Sequence, residues 1–415
     1  MNYSDKFLSF RNKTIFEKLP RTQQQIIRDL AFHFSFTFQD FKQVSEALRD
    51  LTMWNDKETE NAVTTFQNKF PERTRQAKKS FLADLDRRLN RLRASLKIYP
   101  EKTPQSSQLR KPPVRMKSQN IKKTFFGKCP VASEKTMCCQ LYTLDAIERC
   151  PFGCSYCTIQ TFYGRTIRFI KDLEKALKTI RLDPEKFYHI GTGQSSDSLA
   201  FGNTYGMLDA LCAFAEEHPN VLLELKTKSG NTDYFVRGTF PKNIVVSWSL
   251  NTQKIISNEE HFTASLEERL QAAKAVSSNG VAVAFHFHPM IYYKGWDKDY
   301  PDIAERIMND FSPENLRFIS FGSLTLIKPV IRKLRELGIP SKILQMEMVK
   351  DPHGKLTYPD NIKVVMFKKL YHAFSPWHRK LFFYLCMEKR SIWEDAFGWS
   401  FADNGEFEKV FSQLY

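Results

Sequence analysis

The chain has 415 residues, of which 42% are hydrophobic and 13% aromatic, a composition that suits one large core or two unequal cores and excludes a disordered protein. No apolar stretch reaches the length of a membrane-spanning helix, and the first residues lack the pattern of a signal peptide. We therefore expect a cytoplasmic protein with reduced thiols and no membrane partner.

The net charge of +16 is concentrated near the N-terminus. Residues 1–128 hold 27 basic and 13 acidic side chains, whereas the remainder holds 35 and 33. Within that part, residues 71–128 alone carry 17 basic and 4 acidic side chains. A local positive field suits the phosphate backbone of a nucleic acid, although a solvated basic linker has the same composition.

Apolar residues at helical spacing predict a helical N-terminal region over residues 1–100. One apolar stripe runs from Ile26 to Phe34, and another runs from Phe81 to Leu96 with arginines in the gaps. Residues 101–128 are polar, basic and interrupted by prolines, which predicts a linker or a weakly ordered arm.

The next feature is the run Cys150-Pro-Phe-Gly-Cys154-Ser-Tyr156-Cys157, which ends a group of six cysteines that begins at Cys129. Three thiolates close in sequence suit an iron–sulfur cluster. In a [4Fe–4S] cluster they leave one iron free to bind the amino and carboxylate groups of S-adenosylmethionine (SAM). A structural zinc is the main alternative, but the nearest histidine is His189. Unligated thiols are the third interpretation.

Three further cysteines precede the run, namely Cys129, Cys138 and Cys139. Because Cys138 and Cys139 are adjacent, their side chains point to opposite faces if the segment is extended. Packing and a second metal site both remain open for them.

Strand and helix patterns alternate from about residue 138 onward. Strand patterns cover residues 140–146, 166–170, 187–190, 221–225, 244–250, 281–287 and 316–321. Helix patterns cover residues 173–180, 207–217, 266–277, 300–310 and 327–337. This alternation predicts an α/β fold with a parallel sheet, and about six βα units favour a partial (β/α)6-type barrel. Reactive side chains then belong at the C-terminal ends of the strands.

Several polar blocks follow the cysteine run in a fixed order. They read Gly191-Thr-Gly-Gln-Ser-Ser-Asp-Ser-Leu-Ala, Glu224-Leu-Lys-Thr-Lys-Ser, Ser247-Trp-Ser-Leu-Asn, Ser265-Leu-Glu-Glu-Arg-Leu, Phe285-His-Phe-His-Pro-Met-Ile-Tyr-Tyr-Lys-Gly-Trp and Tyr384-Leu-Cys-Met-Glu. The cysteine run resembles the signature of radical SAM enzymes. Together with these blocks, the chain resembles the spore photoproduct lyase family, particularly its broad uncharacterised branch, over roughly residues 125–400. We thus predict domains at 1–100 (helical), 101–128 (linker or arm), 129–400 (barrel) and 401–415 (tail).

The resemblance implies a division of labour among the site residues. Cys150, Cys154 and Cys157 would hold a [4Fe–4S] cluster, which reduces SAM to methionine and a 5′-deoxyadenosyl radical. Tyr156 would lie near the adenine or act as a redox group. The implied SAM-binding residues are Gly191, Thr192, Gly193, Asp197, Lys228, Ser249 and Asn251. An electron donor such as flavodoxin or ferredoxin would reduce the cluster.

Two positions depart from the family pattern. In the lyases a cysteine three residues before the aspartate returns a hydrogen atom to the product radical, but the matching residue here is Gln194. The lyases also have a tyrosine after the third cysteine, where this chain has Thr158. Replacement donors would be Cys386, Tyr292 or Tyr293, although a cysteine among the aromatic residues before Cys386 is also typical of a core thiol.

The leading hypothesis is a radical SAM enzyme that acts on nucleic acid, with reversal of a pyrimidine photoproduct as the specific reaction. A second hypothesis is radical modification of RNA, a peptide or a small molecule. A third is a nucleic-acid-binding protein whose cluster is structural or redox-sensing.

Overall fold

The computed structural model describes residues 2–100, 114–120, 125–129, 134–164 and 166–413. The chain divides into two compact units. The helical unit comprises Met1–Tyr99 and Leu326–Met348, and the barrel unit comprises Pro100–Thr325 and Val349–Tyr415. Residues 326–348, which the sequence patterns placed in the barrel, thus cluster with the N-terminal helices.

The helical unit confirms the predicted helical N-terminal region. Its helices are α1 (Tyr3–Arg11), α2 (Arg21–Phe34), α3 (Phe38–Trp54), α4 (Lys57–Thr64), α5 (Phe66–Lys69), α6 (Arg75–Ala94) and α13 (Lys328–Leu337). Helix α3 begins with a capping box, in which Thr37 and Asp40 satisfy each other's backbone N–H groups. In the core, the Phe41 ring packs against Phe7 and Phe16 with centroids 5.5 and 5.2 Å away.

The barrel unit is built on an eight-stranded sheet. In chain order its strands are β2 (Phe126–Lys128), β3 (Tyr142–Leu144), β7 (Tyr188–Gly191), β8 (Val221–Thr227), β9 (Ile244–Ser249), β11 (Ala282–Met290), β12 (Leu316–Ser323) and β16 (Phe382–Leu385). Neighbours in the sheet follow chain order, and every pairing is parallel except that of β2 with β3. Right-handed crossovers in one direction put the connecting helices on one side, as in a barrel. The predicted partial barrel is confirmed.

Helices connect and follow these strands. They are α7 (Ile159–Phe162), α8 (Leu173–Leu177), α9 (Met207–Glu217), α10 (Gln253–Glu259), α11 (Leu266–Ser278), α12 (Trp296–Asp310), α14 (Asp360–Ala373), α15 (Arg390–Phe397) and α16 (Asn404–Ser412). Short strands complete the set: β1 (Arg115–Gln119), β4 (Ile147–Glu148), β5 (Gly153–Cys154), β6 (Thr166–Ile170), β10 (Glu260–His261), β13 (Thr325–Leu326), β14 (Val349–Lys350) and β15 (Leu356–Thr357). Among the residues described, no helix is long and apolar enough to cross a membrane.

Three segments differ from the sequence patterns. Strand β6 was expected in the barrel, but it lies in a separate small sheet. Its hydrogen-bonding partners there are β1 and β4, which do not belong to the alternating strands and helices of the barrel. The predicted linker supplies both β1 and β2, while residues 101–113 and 121–124 lie outside the described residues. The predicted tail contains α16, whose Phe407 and Phe411 are buried.

Candidate active site

A cavity of about 320 Å³ lies at the C-terminal ends of the barrel strands. Its wall contains all three cysteines of the predicted cluster motif. The other predicted site residues on the wall are Tyr156, Gly193, Asp197, Lys228 and Ser249. The cavity therefore gathers residues that the sequence spreads over a hundred positions, whereas Gly191, Thr192 and Asn251 lie outside its wall.

The cysteine loop is fixed at both ends by backbone hydrogen bonds. Before the run, the Arg149 amide donates to the Ser195 carbonyl over 3.0 Å. Within it, β5 pairs with β10, which places Cys154 opposite Glu260, and the Ser155 amide donates to the Glu259 carbonyl over 2.8 Å. The loop thus has little freedom to move relative to the strand ends.

The thiols of this loop fit an iron–sulfur cluster in their chemistry. All eight cysteines of the chain are described, and each is a free thiol. Burial raises the pKa of Cys150, Cys154 and Cys157, so their thiolates need a nearby positive charge, which a cluster supplies. Backbone N–H groups of Ile159 and Gln160 donate to Cys157 and favour the thiolate. In the described residues, no three His, Cys, Asp or Glu side chains already surround a metal-sized point.

Glu260 is the central charge of the site, and sequence reasoning missed it. Its fully buried carboxylate pairs with Lys228 over 3.2 Å and with Arg269 over 2.7 Å, and it accepts a hydrogen bond from the Tyr156 hydroxyl. Burial alone would raise the pKa of Glu260, but the two cations overcome this effect and lower it to about 2. The carboxylate is therefore ionised throughout the physiological range and holds three side chains in place.

Lys228 and Ser249 form the polar wall beside the cysteines. The Lys228 ammonium donates to Ser249 Oγ over 2.7 Å, and Ser249 Oγ donates to the His288 carbonyl over 2.9 Å. The same ammonium lies 5.8 Å from the centre of the Tyr156 ring. Within the described part of the chain, Ser249 and Glu260 account for two of its three N–H groups, which leaves one for an anionic ligand.

Asp197 joins the ends of two strands. Its Oδ1 accepts from Thr227 Oγ1 and from the amides of Leu199 and Ala200, and its Oδ2 accepts from the Lys228 amide over 2.6 Å. Burial raises the pKa of the carboxyl group. Because the protein supplies four donors to this carboxylate, the geometry supports a positioning role. Its contact with SAM stays a prediction.

Gly193 is required by the close approach of β8. A Cβ atom at this position would lie 2.6 Å from Lys226 Cβ and 2.9 Å from the Lys226 carbonyl oxygen. Behind the wall, Thr192 Oγ1 is bonded to Ser198 Oγ over 2.7 Å. A Cβ at Gly191 would lie 3.2 Å from the Leu141 side chain. Of Gly191, Thr192 and Gly193, only Gly193 lies on the cavity wall.

Asn251 supports the site from within the core. Its amide donates to the Pro289 carbonyl over 2.9 Å and to Glu260 over 3.4 Å. Its side-chain oxygen accepts from the Tyr300 hydroxyl over 2.8 Å. Asn251 is fully buried and lies off the cavity wall, and its contact with the cofactor stays a prediction.

A second polar network, which sequence reasoning also missed, fills the barrel interior. Glu224 accepts from His189 over 2.8 Å and from His286 over 2.5 Å. Ser320 then connects His286 to His288, which lies on the cavity wall. The signal was present in the motif His286-Phe-His288, because alternate residues of a strand share one face.

The cavity wall also contains the positions that depart from the lyase pattern. Gln194 and Thr158 both line it, and so does Cys386. Tyr293 does not, because its hydroxyl is held by Asp299 and Thr252 over 2.5 and 2.8 Å. Tyr292 also lies off the wall. Cys386 is thus the one candidate replacement donor that the fold brings to the site.

The remaining cysteines lie away from the cavity wall. The Cys138 amide donates to Asn404 Oδ1 over 2.9 Å, and Cys139 is hydrogen-bonded to His189. The choice between packing and a second metal for Cys129, Cys138 and Cys139 stays a prediction.

Comparisons with known proteins agree with this architecture. A family model described as "Spore photoproduct lyase" matches residues 132–351. The spore photoproduct lyase of Clostridium acetobutylicum is 22% identical over 228 residues, which cover 52% of this chain and 68% of the relative. That of Bacillus subtilis is 24% identical over 173 residues, which cover 40% and 50%.

Solved structures extend the likeness to the fold. A spore photoproduct lyase mutant with bound AdoMet and dinucleoside spore photoproduct has a TM-score of 0.56 and 18% identity, covering 74% of this chain and 93% of that one. A spore photoproduct lyase complexed with dinucleoside spore photoproduct has the same TM-score and identity, covering 65% and 82%.

Proposed function

The chain belongs to the spore photoproduct lyase family, and from this membership we propose that it is a radical SAM enzyme that acts on a pyrimidine photoproduct in nucleic acid. The observation that carries the proposal is the shared cavity of the three motif cysteines, Lys228 and Ser249. A cluster that was only structural would not need an ammonium and a hydroxyl beside a space of about 320 Å³.

A [4Fe–4S] cluster bound by Cys150, Cys154 and Cys157 would supply one electron for the reductive cleavage of SAM. The residues around the cluster bind and orient SAM. Lys228, held by Glu260 and Ser249, offers its remaining N–H group to the carboxylate of SAM. Gly193 lines the same cavity, and the lack of a side chain there lets β8 pack closely against it. A low-potential electron donor such as flavodoxin or ferredoxin completes the system.

The substrate class follows from the family and from charge. Solved members carry a dinucleoside spore photoproduct. In the helical unit, α6 has an exposed basic stripe that consists of Arg75, Lys79, Arg87 and Arg91, at four-residue spacing apart from the gap at Ala83. Such a stripe suits phosphate groups in a nucleic acid.

The test is anaerobic reconstitution followed by incubation with SAM, dithionite and irradiated DNA. We expect about four irons per chain, absorbance near ~400 nm, 5′-deoxyadenosine and a repaired pyrimidine in the mass spectrum. Cys154→Ala should lose the cluster, and Lys228→Ala should keep it but bind SAM roughly 10- to 100-fold more weakly.

Other outcomes separate the alternatives. Bound zinc without iron would overturn the proposal. A cluster that never cleaves SAM would favour the structural or redox-sensing protein. Cleavage of SAM with unchanged DNA would favour RNA, a peptide or a small molecule as substrate.

A further inference from the structure

Cys386 follows the last strand of the barrel and opens onto the cavity. Strand β16 pairs with β12 so that Leu385 lies opposite Phe321, and the Cys386 amide donates to the Phe321 carbonyl over 2.8 Å. Among the described residues that line the cavity, it is the only cysteine outside the cluster run.

Its environment differs from that of a core thiol. The three preceding residues, Phe383, Tyr384 and Leu385, are each at most 3% exposed. Cys386 is partly exposed, and it shares the cavity wall with Lys226 and His288. Its side chain thus stands at the boundary between the core and the space in which a substrate would be held.

We propose that Cys386 is the hydrogen-atom donor that quenches the product radical in this cavity. This inference rests on the proposed function, since a reaction that removes a hydrogen atom from the substrate and returns it at the end needs a donor in contact with the product. Gln194 and Thr158 line the same cavity, but an amide N–H and an alcohol O–H are too strong to give up a hydrogen atom readily. An S–H bond is weaker than the C–H bond that would form.

The phenolic hydroxyl of Tyr156 also lies on the cavity wall, but it already donates a hydrogen bond. Tyr156 donates its phenolic hydrogen to Glu260, in the middle of the cluster loop. Cys386 follows the strand at the far edge of the sheet, and desolvation by the atoms packed around it raises the pKa of its thiol, which retains the transferable hydrogen at neutral pH.

The S–H bond of Cys386 breaks homolytically and a C–H bond forms on the product radical, which leaves a thiyl radical on Cys386. One electron from the low-potential donor and one proton from water then restore the thiol. On this route one SAM is consumed for each product.

The experiment compares the reconstituted wild-type enzyme with Cys386→Ser and Cys386→Ala in deuterium oxide, with dinucleoside spore photoproduct as the probe. Cys212→Ala is the matched control, because Cys212 is a free thiol on α9 away from the cavity wall. We expect one deuterium in the product of the wild type and of Cys212→Ala. Both Cys386 variants should make at least tenfold less of that product while iron content and 5′-deoxyadenosine formation persist. Unchanged yield and deuterium content in the Cys386 variants would overturn the proposal.

A substrate-free measurement keeps this result separate from failure of the proposed function. If the wild type forms 5′-deoxyadenosine but leaves the probe unchanged, the proposed substrate is wrong. The donor is then judged by uncoupled SAM cleavage in deuterium oxide. Deuterium in 5′-deoxyadenosine should fall in both Cys386 variants and not in Cys212→Ala, and equal labelling in all three would reject the donor. No 5′-deoxyadenosine from the wild type would overturn both the function and the donor.

Discussion

In the helical unit, ion pairs such as Arg11 with Glu17 join side chains that are each more than a third exposed, whereas in the barrel unit Glu260 and Arg269 pair with no exposed side-chain surface at all. Solvent screens the first kind of pair, so either partner is replaced at little cost. The second kind is interdependent, because removal of one charge leaves the other unpaired in the interior. The exposed charge of the helical unit is thus available for a partner, while the buried charge of Glu260 positions the site.

The largest effect expected from this difference concerns Glu260→Gln. We expect it to lower the free energy of unfolding by about 3–5 kcal/mol, because Arg269 and Lys228 then carry unpaired charges in the interior. Glu17→Gln in the helical unit should cost at most about 1 kcal/mol. Urea unfolding followed by circular dichroism measures both, and equal small losses would contradict the comparison.

The next effect is a pH dependence that only the barrel interior should produce. Burial alone would lower the pKa of His189, but Cys139 and Glu224 raise it to about 9 from an ordinary value of 6.5. A raised pKa stabilises the fold below 6.5, and this contribution is lost as the pH rises through about 9. The wild type should therefore lose up to about 3 kcal/mol more than His189→Gln between these limits. Parallel stability curves for the two proteins would rule this out.

Steric tolerance should also differ between the barrel interior and its edge. Gly193→Ala should cost about 1–3 kcal/mol and weaken SAM binding, because the new methyl group collides with Lys226. Gly127→Ala on edge strand β2 is the matched control, since no atom lies within 4 Å of its added Cβ. Thermal melts measure the stability of the two variants, and SAM titration measures their affinity. If Gly193→Ala changed neither quantity, β8 would be able to shift away from the added methyl group.

The smallest effect on stability is expected for Arg87→Glu/Arg91→Glu on α6, because both side chains are exposed. If they contact phosphates, the slope of log affinity against log salt should fall by about 0.9 per lost contact on duplex DNA. Lys6→Glu/Lys13→Glu changes the charge equally elsewhere in the unit and should leave the slope unchanged. Fluorescence anisotropy at several salt concentrations measures it, and equal slopes for the two variants would exclude α6 as the contact surface. Deletion of residues 1–128 is a poorer test, since it also removes β1 and β2.

Local patterns were sufficient for the parts of this molecule that local forces determine. The cysteine run and the alternation of strands and helices predicted the cluster motif and the partial barrel. The sequence around Glu260 resembles a surface helix end, and only its pairing opposite Cys154 makes it a buried charge. Long-range pairing of this kind leaves no periodic signal.

Two other features of the fold could not be predicted from the sequence for the same reason. Strand β16 is short, and its place beside β12 depends on a partner far back in the chain. The bonds that Asp197 accepts from Thr227 and Lys228, at the end of another strand, were not predicted either, while its contact with the cofactor stays a prediction. Sequence patterns identify which residues are polar at strand ends, and the fold decides which of them remain accessible.

The inserted segment 326–348 has a consequence for the order in which the protein matures on the ribosome. Asp50 on α3 receives two hydrogen bonds of 2.8 Å from Arg335, which lies 285 residues later in the chain. The Met53 carbonyl likewise accepts a hydrogen bond from the Ser341 amide, which is translated much later. Helix α3 therefore lacks these partners until most of the barrel has been translated, and closing so long a loop is entropically unfavourable. A fragment that ends near residue 99 should accordingly bind chaperones and resist protease poorly, although it contains every N-terminal helix.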